Sequence, residues 1–426
     1  MSNRHKPVSR QVRDTQQALV ALARHADRRK WSAGQQIEFL FSCATSKELY
    51  AQVEADSPLA LRYRHWVKGR TVLEQRRTRQ VLLTLADKRI ALLNRPEVVP
   101  ALGLIGKYYW SRQRELADWQ PRTRNAYGQL ESLVRHLFDG YGDVPGWVLE
   151  AWATGEMNCA GVNLAELTIH LGAGRSLRSF AGLPRTLTKK QEHEMRQAPA
   201  GCTFIEALRY GQLASRGALD WLGPVLQTEW SRTVGSDDDF WLGVVDFFAA
   251  ASMVDPQHFG PVCDWIQQKR TVGIGDGPPQ PGFSLKGRSM ASVLLHTEQW
   301  HRLLARGPRH GGELLSTTWS PLLVSDFSSG EDQRVRITQL RTYEELVEEG
   351  RALHHCVASY LYSCQKGRCG IFSLKMDGAR SITLEVLRNR TVVQARGRYN
   401  RSMLANERHW VTRWAAENQL SLSKHI

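Results

Sequence analysis

Between Thr15 and Gln268 apolar residues recur three or four positions apart, and from about Gly370, well beyond the Gly- and Pro-rich stretch Thr271 to Gly282, TVGIGDGPPQPG, the spacing becomes alternation. This switch of period limits the fold more than any other property of the chain. A spacing of three and four puts apolar side chains on one side of a helix, whereas alternation puts them on one side of a strand. Segments such as QQALVALARHADRRKW, EQRRTRQVLLTLADKRIALL and RNAYGQLESLVRHLF therefore read as packed amphipathic helices. Pro96, Pro100 and the turn Asp143-Val144-Pro145-Gly146 punctuate them. The expected architecture is a mainly α N-terminal region followed by a small C-terminal α+β domain of helix, three to four antiparallel strands and a closing helix. Its expected segments are a basic helical region 1–142, a helical scaffold 143–270, a Gly/Pro linker 271–283 and the α+β domain 284–426.

Charge narrows the class of partner. The chain has 57 Lys and Arg against 42 Asp and Glu, a net charge of +15, and about +10 of it falls in the first hundred residues. Clusters such as Arg28-Arg29-Lys30, Arg76-Arg77-Thr78-Arg79 and Lys88-Arg89 suit a polyanion, whose counterions such groups displace. Nucleic acid, RNA or DNA, is the expected partner, with Arg28, Arg29, Arg76 and Arg77 on its phosphates. The blander reading is that these charges only solvate helix faces. Seven scattered cysteines lack the density of a secreted disulfide scaffold, so a reducing cytoplasm is expected. The N-terminus has no signal-like apolar core and no apolar run reaches membrane-spanning length, so neither export nor a bilayer is expected. Trp221, Trp230, Trp241 and Trp265 sit within helical patterns, where packing is commoner than a base-stacking role.

Chemistry-bearing residues concentrate between Gly350 and Asn400. Thr342-Tyr343-Glu344-Glu345 has the form of a capping box, so a helix should start there. Leu346, Leu353, Val357 and Leu361 supply its apolar stripe, Gly350 admits a close neighbour, and His355 lies away from the stripe. Gly370 to Met376 reads as a strand. Ile382, Leu384 and Val386 alternate with Thr383 and Glu385 in the next. A two-residue turn at Asn389-Arg390 would set Thr383 opposite Arg396, Leu384 opposite Ala395, Glu385 opposite Gln394 and Val386 opposite Val393. One sheet face is then apolar and the other carries Thr383, Glu385, Gln394 and Arg396. The bland reading makes that face the wet side of the sheet, with Glu385 and Arg396 as a diagonal ion pair. The functional reading makes it a site: His355 as general acid or base, Glu385 as its partner, Arg380 or Arg396 on developing phosphate charge, and Gln394, Asn400, Tyr360 and Thr383 holding substrate.

Other chemistries fit less well. His355, Cys356, Cys364, Cys369 and His409 hold the atoms of a zinc site without its paired C-x-x-C spacing, and no metal or other cofactor is expected. Neighbouring helix positions diverge by about a hundred degrees, which argues against a Cys356–His355 dyad. The run Gly273 to Pro278 lacks the Gly-Lys-Ser/Thr ending of a phosphate loop. Asp237, Asp238 and Asp239 suit the start of the helix that follows them. Lys286 and Arg288 stand at the entrance of a helix expected from Ser289, either a phosphate seat or a solvated end.

The pattern G-x-x-L-x-H-C-V-x-x-Y, from Gly350 through Leu353, His355, Cys356 and Val357 to Tyr360, is followed by Thr383 and Glu385, by Val393 and Gln394, and by Gly397 and Asn400. Together these resemble the PcfJ-like family, which is named for a protein of conjugative plasmids and occurs in bacteria, plasmids and phages. The upstream FSLKGRSMASVLLHTEQWH is similar to sequences that precede the motif in longer members. The resemblance implies an association with mobile elements and nucleic-acid processing, without a reaction to carry over. The expected function is nucleic-acid binding in a bacterial mobile-element or defence system, and the sharper form of that expectation is a metal-independent ribonuclease. The competing class is a non-catalytic interaction module that docks a relaxosome or another protein partner.

Overall fold

In a computed structural model of the protein, residues 31–88, 90–155, 157–251, 254–275, 277–306, 316–330 and 334–426 are described. Arg28, Arg29, Lys30, Arg89 and Asp276 lie outside the described residues. The chain forms two compact units, which divide between Gly211 and Gln212.

The first unit is helical, as its period predicts. Its main helices are Ala33–Ser42, Pro58–Trp66, Val72–Asp87, Val99–Tyr108, Ala126–Phe138, Gly146–Thr154, Leu164–Gly172 and Lys189–Arg196. Capping boxes start three of them: Ser32 with Gln35, Thr71 with Glu74, and Thr188 with Gln191. Each satisfies helix-end N–H groups that would otherwise lack partners. Trp66, Trp119, Trp147 and Trp152 are fully buried. Their indole N–H groups donate to Val99 O, Ser132 Oγ, Met195 O and Thr168 Oγ1, so they fill the core without leaving a donor unpaired. A short hairpin pairs Asn158 with Asn163.

The second unit combines helices with one sheet. Among its longer helices, α1 (Asp238–Ala249), α2 (Phe259–Thr271) and α3 (Met290–Arg306) precede the sheet. Trp241, Phe248, Phe259 and Trp265 are buried in their shared core, and Trp221 and Trp230 pack against it. These tryptophans are packing residues. The Gly- and Pro-rich segment folds back onto α2: Gln280 N donates to Lys269 O over 2.9 Å, and the Phe283 ring meets Trp265 edge-on. Asp238 and Asp239 open α1, and Ser289 caps α3 by accepting from Ser292 N.

The sheet has six strands, β1 (Phe327–Ser328), β2 (Val335–Leu340), β3 (Cys369–Met376), β4 (Ala379–Leu387), β5 (Thr391–Gly397) and β6 (Ser421–Leu422), in that spatial order. All neighbours are antiparallel except β5 and β6. The expectation of three to four antiparallel strands falls short because β1 and β6 are two residues long, too brief to show alternation. Leu374, Ile382, Leu384 and Val386 form the apolar face, where they pack with Val411 and Trp414 of α5 (Ala405–Glu417). The opposite face lies under α4 (Tyr343–Leu353), which starts at the expected Thr342–Glu345 capping box.

Two local expectations are corrected. The register Thr383–Arg396, Leu384–Ala395 and Glu385–Gln394 is as predicted, but Val386 pairs with Val392. A bulge between Glu385 and Val386 accompanies a three-residue turn in which Arg390 takes φ 66° and donates its N–H to Leu387 O. The helix expected to run on to Leu361 ends instead at Leu353. His354 enters the left-handed region (φ 54°, ψ 49°), and the N–H groups of His354 and His355 both fold back onto Gly350 O. Val357–Tyr360 and Leu361–Gln365 then form separate short turns.

Candidate functional site

The early end of α4 sets the position of His355. Were the helix continuous, its ring would follow the helix surface; the left-handed turn at His354 carries it over β4 instead. Gly350 makes this possible, since a Cβ there would stand 2.8 Å from His355 O. His355 is buried at 7% exposure, and its Nε2 lies 2.9 Å from Thr383 Oγ1. Thr383 Oγ1 in turn donates to Glu349 Oε1 over 2.7 Å. Glu349 is fully buried and also accepts from Ser373 Oγ over 2.8 Å, while Arg380 Nε stands 2.9 Å from Glu349 Oε2.

His355, Thr383, Glu385, Gln394, Arg396, Tyr360 and Asn400 line one cavity of about 270 Å³, together with Cys356 and, from earlier in the second unit, Gln227, Pro256 and Asp264. The polar face of the sheet is therefore largely covered by protein, and it opens onto this cavity. Its groups are connected. Arg232 Nη1 lies 3.2 Å from Glu385 Oε2. Tyr360 Oη donates to Gln394 Oε1 over 3.1 Å, Gln394 Nε2 donates to Gln227 O over 2.9 Å, and Arg396 Nη2 donates to Gln227 Oε1. Cys356 Sγ donates to Asp264 Oδ2 over 2.9 Å.

Burial sets the charge states. It pushes the His355 imidazole down to about 4, with lesser repulsion from His301 and His354, so the ring is neutral at pH 7. It raises Asp264 to about 6, against the hydrogen bond from Cys356. The carboxyls of Glu349 and Glu385 are also held above the usual range by burial, partly offset by Thr383 and Ser373 for the first and by Arg232 for the second. Burial works against the Arg232 charge, yet Glu385 and Tyr360 outweigh it. The Arg396 guanidinium is lowered by burial, and the Tyr360 phenol is held well above its ordinary value by burial and then by Glu385.

The sequence-derived residues thus divide. His355, Glu385, Arg396, Gln394, Asn400, Tyr360 and Thr383 share the cavity. Arg380 stands apart from its lining, ion-paired with Glu348 and Glu349. The carboxylate linked to His355 through hydrogen bonds is Glu349, by way of Thr383, and Glu385 is ion-paired with Arg232. Sequence reasoning missed Glu349, Arg232, Asp264 and Gln227. Glu349 stands in an acidic run with Glu344, Glu345 and Glu348 that looks solvated, and only its place one residue before Gly350 hints otherwise. In the first unit Arg76 is exposed and Arg77 half-buried on the helix Val72–Asp87.

None of the seven cysteines is in a disulfide. Cys364 and Cys369 are buried together, and a hydrogen bond that the Cys369 thiol donates to Cys364, followed by burial, holds that thiol far above its ordinary range. Among the described residues no group of three or more His, Cys, Asp or Glu is arranged to hold a metal ion. No helix among them is long and apolar enough to cross a membrane.

Fold and cavity together define a helix-on-sheet domain with a polar pocket. Residues 327–412 match the family model described as PcfJ-like protein, so the C-terminal part of the chain is a PcfJ-like domain. No curated protein and no solved structure matches the chain.

Proposed function

We propose that the second unit is a nucleic-acid-processing module that holds one sugar–phosphate unit of a strand in its cavity and cleaves RNA there. The observation that carries this reading is the convergence of His355, Tyr360, Gln394 and Arg396 on a single cavity of about 270 Å³. That volume sits near the lower end of small-ligand sites and excludes a duplex. The neutral imidazole is in the form that accepts a proton, and Thr383 links it to Glu349, whose carboxylate favours the imidazolium that results. In the proposed step His355 takes the proton of a ribose 2′-hydroxyl and the freed oxygen attacks the adjacent phosphorus. The bond from phosphorus to the 5′-oxygen breaks, and the Tyr360 phenol, kept protonated by its surroundings, gives that oxygen its proton. A 2′,3′-cyclic phosphate and a 5′-hydroxyl end remain; solvent carries the proton from His355 back to Tyr360. Arg396 balances charge on the phosphate oxygens. The setting in a bacterial mobile element or defence system rests on the PcfJ-like domain, and the exposed Arg76 adds to a basic surface suited to phosphates.

The test is incubation of the full chain with single-stranded RNA, tRNA and single-stranded DNA in chelator. RNA should be cut to cyclic-phosphate ends and DNA left whole. His355→Gln and Tyr360→Phe should each remove cutting while the circular dichroism stays unchanged. RNA that is bound yet remains intact would overturn the catalytic step. One observation favours a second reading, a non-catalytic binding module: Arg232, Glu385, Gln394, Gln227 and Arg396 are already paired with one another. That reading expects salt-sensitive binding with no product.

A further inference from the structure

We propose that the exposed ring of Tyr399 is a stacking platform for a base of single-stranded nucleic acid, next to the unit held in the cavity. This rests on the reading above and names its substrate more narrowly. Tyr399 directly precedes Asn400, and His354 directly precedes His355; the second residue of each pair lines the cavity. Although 63% exposed, Tyr399 is not loose: its ring lies parallel to the His354 imidazole, 4.8 Å between centroids and 10° between planes. Arg398 joins the stack, with Nη2 3.2 Å from His354 Nε2 and Cζ 5.3 Å from the Tyr399 centroid.

The backbone is bent to present this group. His354, Tyr399 and Asn400 all have positive φ, 54°, 58° and 61°, a region that residues with a Cβ enter only against an energetic penalty. Tyr399 also belongs to none of the buried apolar clusters around it, so packing does not explain the arrangement. An aromatic face with an arginine beside it has the elements that hold single strands, since every base offers a π-face and the cation meets the flanking phosphate. Arg396 supplies a further cation to the cavity lining, which also holds the carboxylates of Glu385 and Asp264.

The experiment measures fluorescence anisotropy of the full chain, in chelator and at low salt, with a short labelled single-stranded RNA, the same strand carrying abasic positions, and a duplex. The base-bearing strand should bind about tenfold or more tightly than the abasic strand, and better than the duplex. Tyr399→Leu should erase that difference and Tyr399→Phe should keep it, with thermal melting unchanged because the side chain is exposed. Equal affinity for base-bearing and abasic strands, a difference that survives Tyr399→Leu, or no binding of either strand overturns the platform. The platform and the cavity chemistry fail separately: base-dependent binding that tracks Tyr399 without any cleavage removes only the chemistry, whereas cleavage without base dependence removes only the platform.

Discussion

On one side of the central sheet Leu374, Ile382, Leu384 and Val386 meet Trp414; on the other, one position along the same strands, Ser373, Thr383 and Glu385 lie beneath α4 and beside the cavity. Both sides exclude water, for Leu384 is 0% exposed and Thr383 and Glu385 are 7% and 6% exposed. Their energetics run in opposite directions. Burying the apolar side releases hydration and stabilises the fold by about 2 kcal/mol for each large side chain. Burying the polar side removes hydration from charges, and each group must recover it from a neighbour. A fold needs a dry face, but it does not need that face to be ionic. That cost is what singles out the polar side as the candidate site.

Four perturbations probe the contrast, the largest first. Trp414→Ala removes the largest side chain from the apolar side and should lower the unfolding free energy by about 3–5 kcal/mol in urea denaturation. Smaller losses would mean that α5 contributes little to the core. Arg232→Met leaves Glu385 without its cation and should cost about 3 kcal/mol, whereas Arg232→Met with Glu385→Leu should return to near wild-type stability. A double variant as unstable as the summed singles would mean that the two groups are not coupled and would erase the contrast.

Acid supplies the third. His355 and His301 are both held down to about 4 by burial, so each is neutral in the fold and charged in the unfolded chain below about pH 6.5. Their contribution is present above pH 6.5 and is lost as pH falls toward 4, on the order of 3 kcal/mol for each ring. Asp264, raised to about 6, opposes this: its contribution is full below its unfolded value and is lost as pH rises through 6. Melting temperature should therefore drop between pH 6.5 and 4, and less steeply in His355→Gln. An equal slope in that variant would place the acid sensitivity elsewhere. The smallest effect is expected from Thr383→Val, about 1–2 kcal/mol, since it removes a hydroxyl shared by His355 and Glu349. Its sharper signature should be a changed pH profile of any RNA cleavage.

Much of this contrast is legible in the sequence, and for a simple reason. Alternation along β4 and β5 fixes which side each residue takes, so Thr383, Glu385, Gln394 and Arg396 fall together once the strands are recognised. What alternation does not carry is a change of backbone region at a residue other than glycine. Arg390 at φ 66° alters the turn and moves Val393 out of its expected pairing, and His354 at φ 54° ends a helix whose apolar spacing continues to Leu361. Nor does any local pattern announce a partner more than a hundred residues away, such as Arg232 for Glu385 or Gln227 for Arg396. The same holds for Glu349, whose polar neighbours in the chain conceal a carboxylate that has no exposure.

The close approach at Gly350 gives the molecule a mechanical weak point. One methyl group inserted there, as in Gly350→Ala, would act as a wedge under the carbonyl of His355 and lever the imidazole out of line with Thr383 while every polar side chain kept its identity. A twin of the protein with its imidazole displaced, matched to it in charge and composition but for a single carbon, is thus one substitution away.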